Sequence, residues 1–307
     1  MKLVVQIPCY NEEKTLKSVI EDIPKSIDGI DEIQILVIDD GSIDATVTLA
    51  KELGAVIVSN SRNMGLASTF KTGLATALKL GADIIVNTDG DNQYYGGDIE
   101  KLVKPIIDNE ADMVIGARDI KNHKEFSSIK KVLQTFGSKV VKLISAADVQ
   151  DAPSGFRAFS KDCAASINIF DNFSYTMETI IQASAKKFRI VSVPIRVNEK
   201  TRASRLFKNN LHYIWRSACT ILRMFAIYRP FRFFTVCASG LFISGLLLSL
   251  RYLYFYFTGD GGGHLQSLIL ATILIIIGAL VQVMAVFADL ISINRRLLED
   301  IQSKLNK

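Results

Sequence analysis

The sequence predicts an α/β domain on a mainly parallel sheet with helices on both faces, followed by a basic amphipathic region and two long apolar helices. Three observations predict it. Over the first 120 residues short apolar runs alternate with longer amphipathic ones, the pattern of strands joined by crossover helices. Charge is divided along the chain: residues 1–200 carry 24 Lys/Arg against 27 Asp/Glu, a net of −3, and residues 201–307 carry 12 against 4, a net of +8. The basic part is also the apolar part, which suits a membrane surface rather than nucleic acid.

In chain order, KLVVQIP predicts a first strand, EEKTLKSVIEDIPKSI a helix and IQILVIDD a second strand. DATVTLAKELG predicts a helix closed by glycine, AVIVSN a third strand, GLASTFKTGLATALKLG a helix, ADIIVNTD a fourth strand and ADMVIGAR a fifth. Residues 121–175 are less regular, and FRIVSVPIRV predicts a late strand. From Lys200 to Arg232 there are eight basic residues and no acid, interleaved with aromatics and leucines, so 206–228 predicts a basic amphipathic helix in a membrane interface.

Phe233–Phe257 is 25 residues with one charge, Arg251, and Leu268–Ala288 is 21 residues with none. At ~1.5 Å per residue each crosses a hydrocarbon core of roughly 30 Å. The connection TGDGGGHLQS carries no Lys or Arg, whereas Arg229 and Arg232 precede the hairpin and Arg295 and Arg296 follow it. The positive-inside rule then puts the α/β domain and both termini in the cytoplasm. The expected organisation is a catalytic-type domain at 1–200, a basic interfacial region at 201–232, a transmembrane hairpin at 233–293 and a tail at 294–307. The N-terminal run is too short for a secretory signal. Cys9, Cys163, Cys219 and Cys237 show no paired spacing and read as reduced, and the three scattered histidines give no metal-site pattern.

In open α/β sheets ligands bind beyond the carboxyl ends of the strands, which brings PCYNE, DDGS and TDGDNQ to one rim. Asp89 and Asp91 lie there with only Gly90 between them. Two carboxylates this close repel unless a cation or a proton separates them. A hard cation such as Mg²⁺ or Mn²⁺ takes such ligands together with substrate phosphates, and Gln93 offers a further oxygen. A plain turn is the alternative, since Asp, Gly and Asn are favoured there. There is no GxGxxG after the first strand and no GxxxxGK[ST], which removes dinucleotide and P-loop readings.

The ordered set PCYNE (8–12), DDGS (39–42), NMGLASTFKTG (63–73), DGDNQ (89–93), GAR (116–118), DAPSGFRAFS (151–160) and KTRASRL (200–206) resembles the family 2 glycosyltransferases of GT-A fold. Within them it resembles the membrane-anchored polyprenyl-phosphate group, the dolichyl-phosphate mannose or glucose synthases. The resemblance covers residues 1 to about 210. It implies an inverting transfer of sugar from a UDP- or GDP-sugar to undecaprenyl or dolichyl phosphate. By position it implies a nucleotide pocket shaped by Pro8, Tyr10, Asn11 and Glu12, with Asp39 and Asp40 near base and ribose and Lys71 on the following helix. Asp89, Asp91 and Gln93 would hold Mg²⁺ or Mn²⁺ and the diphosphate. Arg118, Lys131, Arg157, Arg202 and Arg205 would bind the acceptor phosphate. The chain departs from the family at Gly90, Asn92 and Tyr94 and at the YGGD that follows, positions near the sugar. A processive synthase would need Gln-x-x-Arg-Trp, which the single tryptophan, Trp215, does not supply. Another lipid acceptor, or a non-catalytic membrane scaffold, is the competing reading. Glycines in the spans permit a homo-oligomer without requiring one.

Overall fold

The computed structural model describes residues 1–118, 149–169, 175–198, 219, 222–223, 225–259 and 261–305. Lys131, Arg202, Arg205 and most of the basic region 201–232 lie outside them. The chain divides into two compact units, Met1–Ile221 and Leu222–Lys307.

The first unit holds strands β1 (Lys2–Cys9), β2 (Glu32–Asp39), β3 (Val56–Ser59), β4 (Ile84–Asn87), β5 (Met113–Arg118), β6 (Arg157–Ser160) and β7 (Ile190–Ile195). They form one sheet in the order β3-β2-β1-β4-β6-β5-β7. All neighbours are parallel except β6, which runs antiparallel to β4 and β5. The helices are α1 (Leu16–Glu21), α2 (Thr46–Glu52), α3 (Leu66–Lys79), α4 (Ile99–Ile107), α5 (Lys161–Ser166) and α6 (Tyr175–Ala185).

Alternation along the strands separates two cores. Leu3, Val5 and Ile7 join Val37, Ile84 and Val86 under Leu16 and Val19 of α1, Ala50 of α2 and Leu102 of α4. Val4, Leu36, Ile38 and Ile85 face the other way, onto Ala67, Phe70 and Leu74 of α3, Cys163 of α5 and Ile180 of α6. A sheet covered on both faces needs apolar residues on both, which is why its strands read as near-continuous apolar runs. The polar exception in β1 is Gln6, fully buried on the α3 face.

Two elements differ from the sequence expectation. The first helix starts only at Leu16. Ahead of it the amide of Asn11 donates to Ser42 Oγ and that of Glu12 to Thr46 Oγ1, so residues 11–12 are fastened to the start of α2 and only turns lead from them into the helix. The irregular stretch 121–175 contains β6, inserted between β4 and β5. Four residues, one of them arginine, are too few for a period-2 signal to show.

In the second unit α7 (Pro230–Phe257) and α8 (Leu265–Leu305) flank a 3₁₀ turn at Gly261–His264 and pack antiparallel. Gln282 Nε2 donates to Thr235 Oγ1 at 3.3 Å. A Cβ on Gly245 would lie 2.8 Å from Ile275 Cγ1 and 3.0 Å from Ala271 O, and one on Gly278 3.4 Å from Ala238 O. Small residues thus set the close approach of the helices, whereas Gly240 has nothing within 4 Å. Leu, Ile, Phe and Tyr side chains face outward, and both helices are long and apolar enough to cross a membrane. Helix α8 continues through 293/294 without a break.

Candidate active site

Parallel pairing sets Cys9 beside Asp39, and Gln6 beside Asn87, so the carboxyl ends of β1, β2 and β4 open on one rim. Strand β6 runs the other way, so its first residue, Arg157, lies beside Asn87 at the same end.

The two acidic residues sit just past β4. Asp91 Oδ1 accepts from the Gln93 amide at 3.1 Å, which closes the turn. Gly90 packs closely: a Cβ there would stand 3.0 Å from Cys9 Sγ and 3.2 Å from Glu12 Cγ, so those side chains would have to give by a few tenths of an ångström. Its carbonyl accepts from Thr15 Oγ1 at 2.7 Å, tying the turn to the entrance of α1.

Behind Asp89 lies a buried polar relay. Gln6 Nε2 donates to Asn87 Oδ1 at 2.9 Å, and Asn87 Nδ2 donates to Gly155 O at 2.9 Å and to the Tyr175 hydroxyl at 3.1 Å. The Gly155 amide donates to the Tyr94 hydroxyl at 3.0 Å. A Cβ on Gly155 would fall 2.9 Å from the Tyr175 oxygen and 3.0 Å from each carboxylate oxygen of Asp89. The missing methyl is therefore what lets Asp89 rest against this wall.

Enclosure has an electrostatic consequence. Burial pushes the Asp89 carboxyl up to about 7, the charge of Asp91 adds to the rise, and Arg118 opposes it. A carboxyl whose folded value exceeds its unfolded value leaves the fold progressively less stable as pH rises between the two, here from about 4 to about 7. Asp89→Asn mimics the protonated form. In EDTA it is expected to raise the unfolding midpoint by several degrees at pH 8 and to leave it unchanged at pH 4. Thermal unfolding across that range checks this, and a midpoint at pH 8 equal to or below wild type contradicts it.

The residues expected at the nucleotide divide. Asn11 takes the left-handed conformation (φ 55°), and its Oδ1 accepts from the Ile43 amide at 2.9 Å. Tyr10 beside it is 40 % exposed on the rim. Glu12 is nearly buried, and its Oε2 accepts from Thr15 Oγ1 at 3.2 Å. Asp39 Oδ1 accepts from the Ser42 amide, shaping the DDGS turn. Asp40 is turned toward the loop before α3: Oδ1 accepts from Asn60 Nδ2 and the Met64 amide, and Oδ2 from the Gly65 amide. Pro8 is buried within β1 beside Ile38, and Lys71 is solvent-exposed on α3.

The residues expected at the acceptor phosphate also divide. Arg118, at the end of β5, donates from Nε and Nη2 to Asp151 at 2.7 and 3.0 Å, and its guanidinium lies 6.0 Å from the Tyr94 ring centre. Arg157 lies inside the fold. It is wholly buried: Nε donates to Ser154 O, Nη2 to Ala152 O, and Nη1 to Thr176 O and Thr179 Oγ1. Its guanidinium braces β6 against α6 beneath the rim.

The sequence did not single out Asp151, Gly155, Tyr175 or Thr15, and it marked Tyr94 only as a departure from the family pattern. Asp151 and Gly155 stand inside the DAPSGFRAFS motif and were within reach of it. Tyr175 has no local signal, because its role exists only once α6 packs on β4.

The match to the model of glycosyl transferase family 2 spans residues 4–167. A UDP-N-acetylglucosamine–dolichyl-phosphate N-acetylglucosaminyltransferase of Methanococcus voltae is 33% identical over 200-odd residues, 62% of this chain and 83% of the relative. A dolichol-phosphate mannosyltransferase of Pyrococcus furiosus is 28% identical over 70% of this chain and 63% of its own. Among solved structures, glucosyl-3-phosphoglycerate synthase from Mycobacterium tuberculosis, in complex with Mn²⁺, UDP-glucose and phosphoglyceric acid, superposes with a TM-score of 0.57 at 20% identity, covering 74% of this chain and 79% of that one. The chain belongs to glycosyl transferase family 2, and it is a glycosyltransferase with the GT-A-like α/β fold.

Among the described residues no group of three or more His, Cys, Asp and Glu side chains gathers as a metal cage. Asp89 and Asp91 do lie close enough for the charge of one to disfavour the other's. An all-oxygen pair fits Mg²⁺ or Mn²⁺, which use one or two carboxylates and complete their shell with substrate phosphate and water.

Proposed function

We propose that this enzyme transfers a sugar from a UDP- or GDP-sugar to the phosphate of a polyprenyl lipid, undecaprenyl or dolichyl, at the cytoplasmic membrane face. The carrying observation is an acidic pair held at the end of β4 in a chain that also bears an apolar helical hairpin. The names of the relatives support the lipid-phosphate acceptor.

Asp89 and Asp91, with Gln93, would hold the divalent cation, which when bound offsets the charge that develops on the departing nucleoside diphosphate. Tyr10, Asn11, Glu12 and Asp39 would shape the nucleotide side of the rim. A lipid monophosphate has a second pKa near ~6 and is mostly dianionic at neutral pH, so its oxygen attacks the anomeric carbon without a protein base. The new carbon–oxygen bond forms as the bond to the diphosphate breaks on the opposite face, and the configuration inverts. Arg118, with Lys131, Arg202 and Arg205, would hold the attacking phosphate in line. The charges flanking the hairpin support a topology with both its ends in the cytoplasm.

The reading is tested with the full chain in lipid nanodiscs, Mn²⁺, polyprenyl phosphate and radiolabelled UDP- and GDP-sugars. One donor is expected to move its label into the lipid phase, and both EDTA and replacement of the acceptor by free polyprenol should abolish the transfer. Folded, Mn²⁺-binding protein that transfers from no donor would sink the proposal.

A further inference from the structure

The turn that carries Asp91 is fastened from outside its own strand. Beyond β7 the Asn198 amide donates to Gln93 O at 2.9 Å. Asn198 Nδ2 donates to both Asn92 O and Asn92 Oδ1 at 3.2 Å. Asn92 stands in the left-handed conformation (φ 57°), which turns its carbonyl and side chain toward the same donor. Within the turn the Gln93 amide is already committed to Asp91 Oδ1. Gln93 is therefore held at both ends of its backbone, by Asp91 on one side and Asn198 on the other.

Other links already join these two segments. Arg196 donates from its amide, Nε and Nη2 to Asp98 at 2.6, 3.1 and 2.7 Å, and its guanidinium lies over the Tyr95 ring at 4.1 Å. Tyr94 and Val197 form an isolated bridge. These attach β7 to the start of α4 without the Asn198 amide. Asn198 acts instead on the two residues that directly follow Asp91.

We propose that Asn198 is a positioning residue that fixes the 91–93 turn so that Asp91 and Gln93 present their oxygens together to a divalent cation and the donor diphosphate. This rests on the metal–diphosphate reading of the site. Groups that orient metal ligands from behind typically matter 10–100-fold in metal affinity. Two residues after Asn198 the chain enters KTRASRL, so the same backbone that fixes the donor turn leads into the basic segment expected to meet the acceptor.

The test measures Mn²⁺ binding by electron paramagnetic resonance on the full chain in nanodiscs, with UDP and separately with GDP, alongside unfolding midpoints in EDTA. Asn198→Ala and the similarly sized, non-donating Asn198→Leu are both expected to weaken Mn²⁺ binding by about tenfold while lowering the midpoint only a few degrees. Asn92→Gly keeps the backbone conformation and the carbonyl and loses only Oδ1, so it should weaken binding about two- to threefold. The Asn92→Gly/Asn198→Ala double variant should bind no worse than Asn198→Ala, because both act through one contact. Unchanged Mn²⁺ affinity in both Asn198 variants overturns the inference, as does loss of the fold in either, which would make Asn198 a purely structural residue. If wild-type protein binds no Mn²⁺ with either nucleotide, the metal reading itself has failed and the inference goes with it.

Discussion

Asp91→Ala is expected to reduce sugar transfer by about a thousandfold while leaving the protein folded. Asp91 is half-buried at the rim, where Oδ1 accepts from the Gln93 amide, a bond worth about 1 kcal/mol. Losing that bond costs a few degrees in unfolding midpoint. Losing a charge-stabilising ligand acts on the transition state, where removal of even a single preorganised donor typically costs ~10²–10³ in rate. Asp91→Glu keeps the charge but displaces the oxygens from the turn, and intermediate activity is expected. The lipid-extraction assay with each variant, normalised to folded protein, checks both. Asp91→Ala that retains a tenth of wild-type activity would remove this residue from the chemistry.

The second large effect is on stability. Arg157→Ala is expected to destabilise the α/β domain by about 3–5 kcal/mol, or about 10 °C in midpoint. Its guanidinium satisfies three carbonyls and one hydroxyl from 152–154 and α6 in a wholly buried place. Truncation takes that donor from each and leaves a cavity. Burial pulls the guanidinium down to about 10, so it keeps its charge at neutral pH and needs every one of these acceptors. Arg157→Lys should rescue little, because a point ammonium cannot reach groups arranged around a planar fork. Thermal unfolding and acceptor titration together decide. A stable Arg157→Ala protein with a raised acceptor KM would return Arg157 to the acceptor site.

Those two residues also show where the sequence was legible. Asp91 could be read because its chemistry lies within five consecutive residues at the end of an apolar strand, DGDNQ, and strand ends in a parallel sheet point to one rim. The first five strands and their order of appearance followed from apolar runs of the right length for the same reason. Arg157 entered the acceptor set only through the family resemblance, and no local pattern marks it as buried. Its burial depends on Thr176 and Thr179, some twenty residues further on, and on β6 entering the sheet against the prevailing direction. Nor could the sequence tell that Asp40 anchors the loop at 60–65 while Asp39 shapes the turn beside it. Adjacent acids look alike until the loop that faces one of them is in place. Gly90, met first as a departure from the family pattern, lies close against Cys9 and Glu12, which no local pattern shows.

The central place of β4 has a consequence for how the molecule is assembled. On one side it pairs with β1, Leu3 beside Ile84, and on the other with β6, Asn87 beside Arg157. Both pairings join stretches far apart in sequence, and closing such loops is slow. The acidic pair at the end of β4 thus depends on two distant stretches of chain reaching the same strand, one on each side.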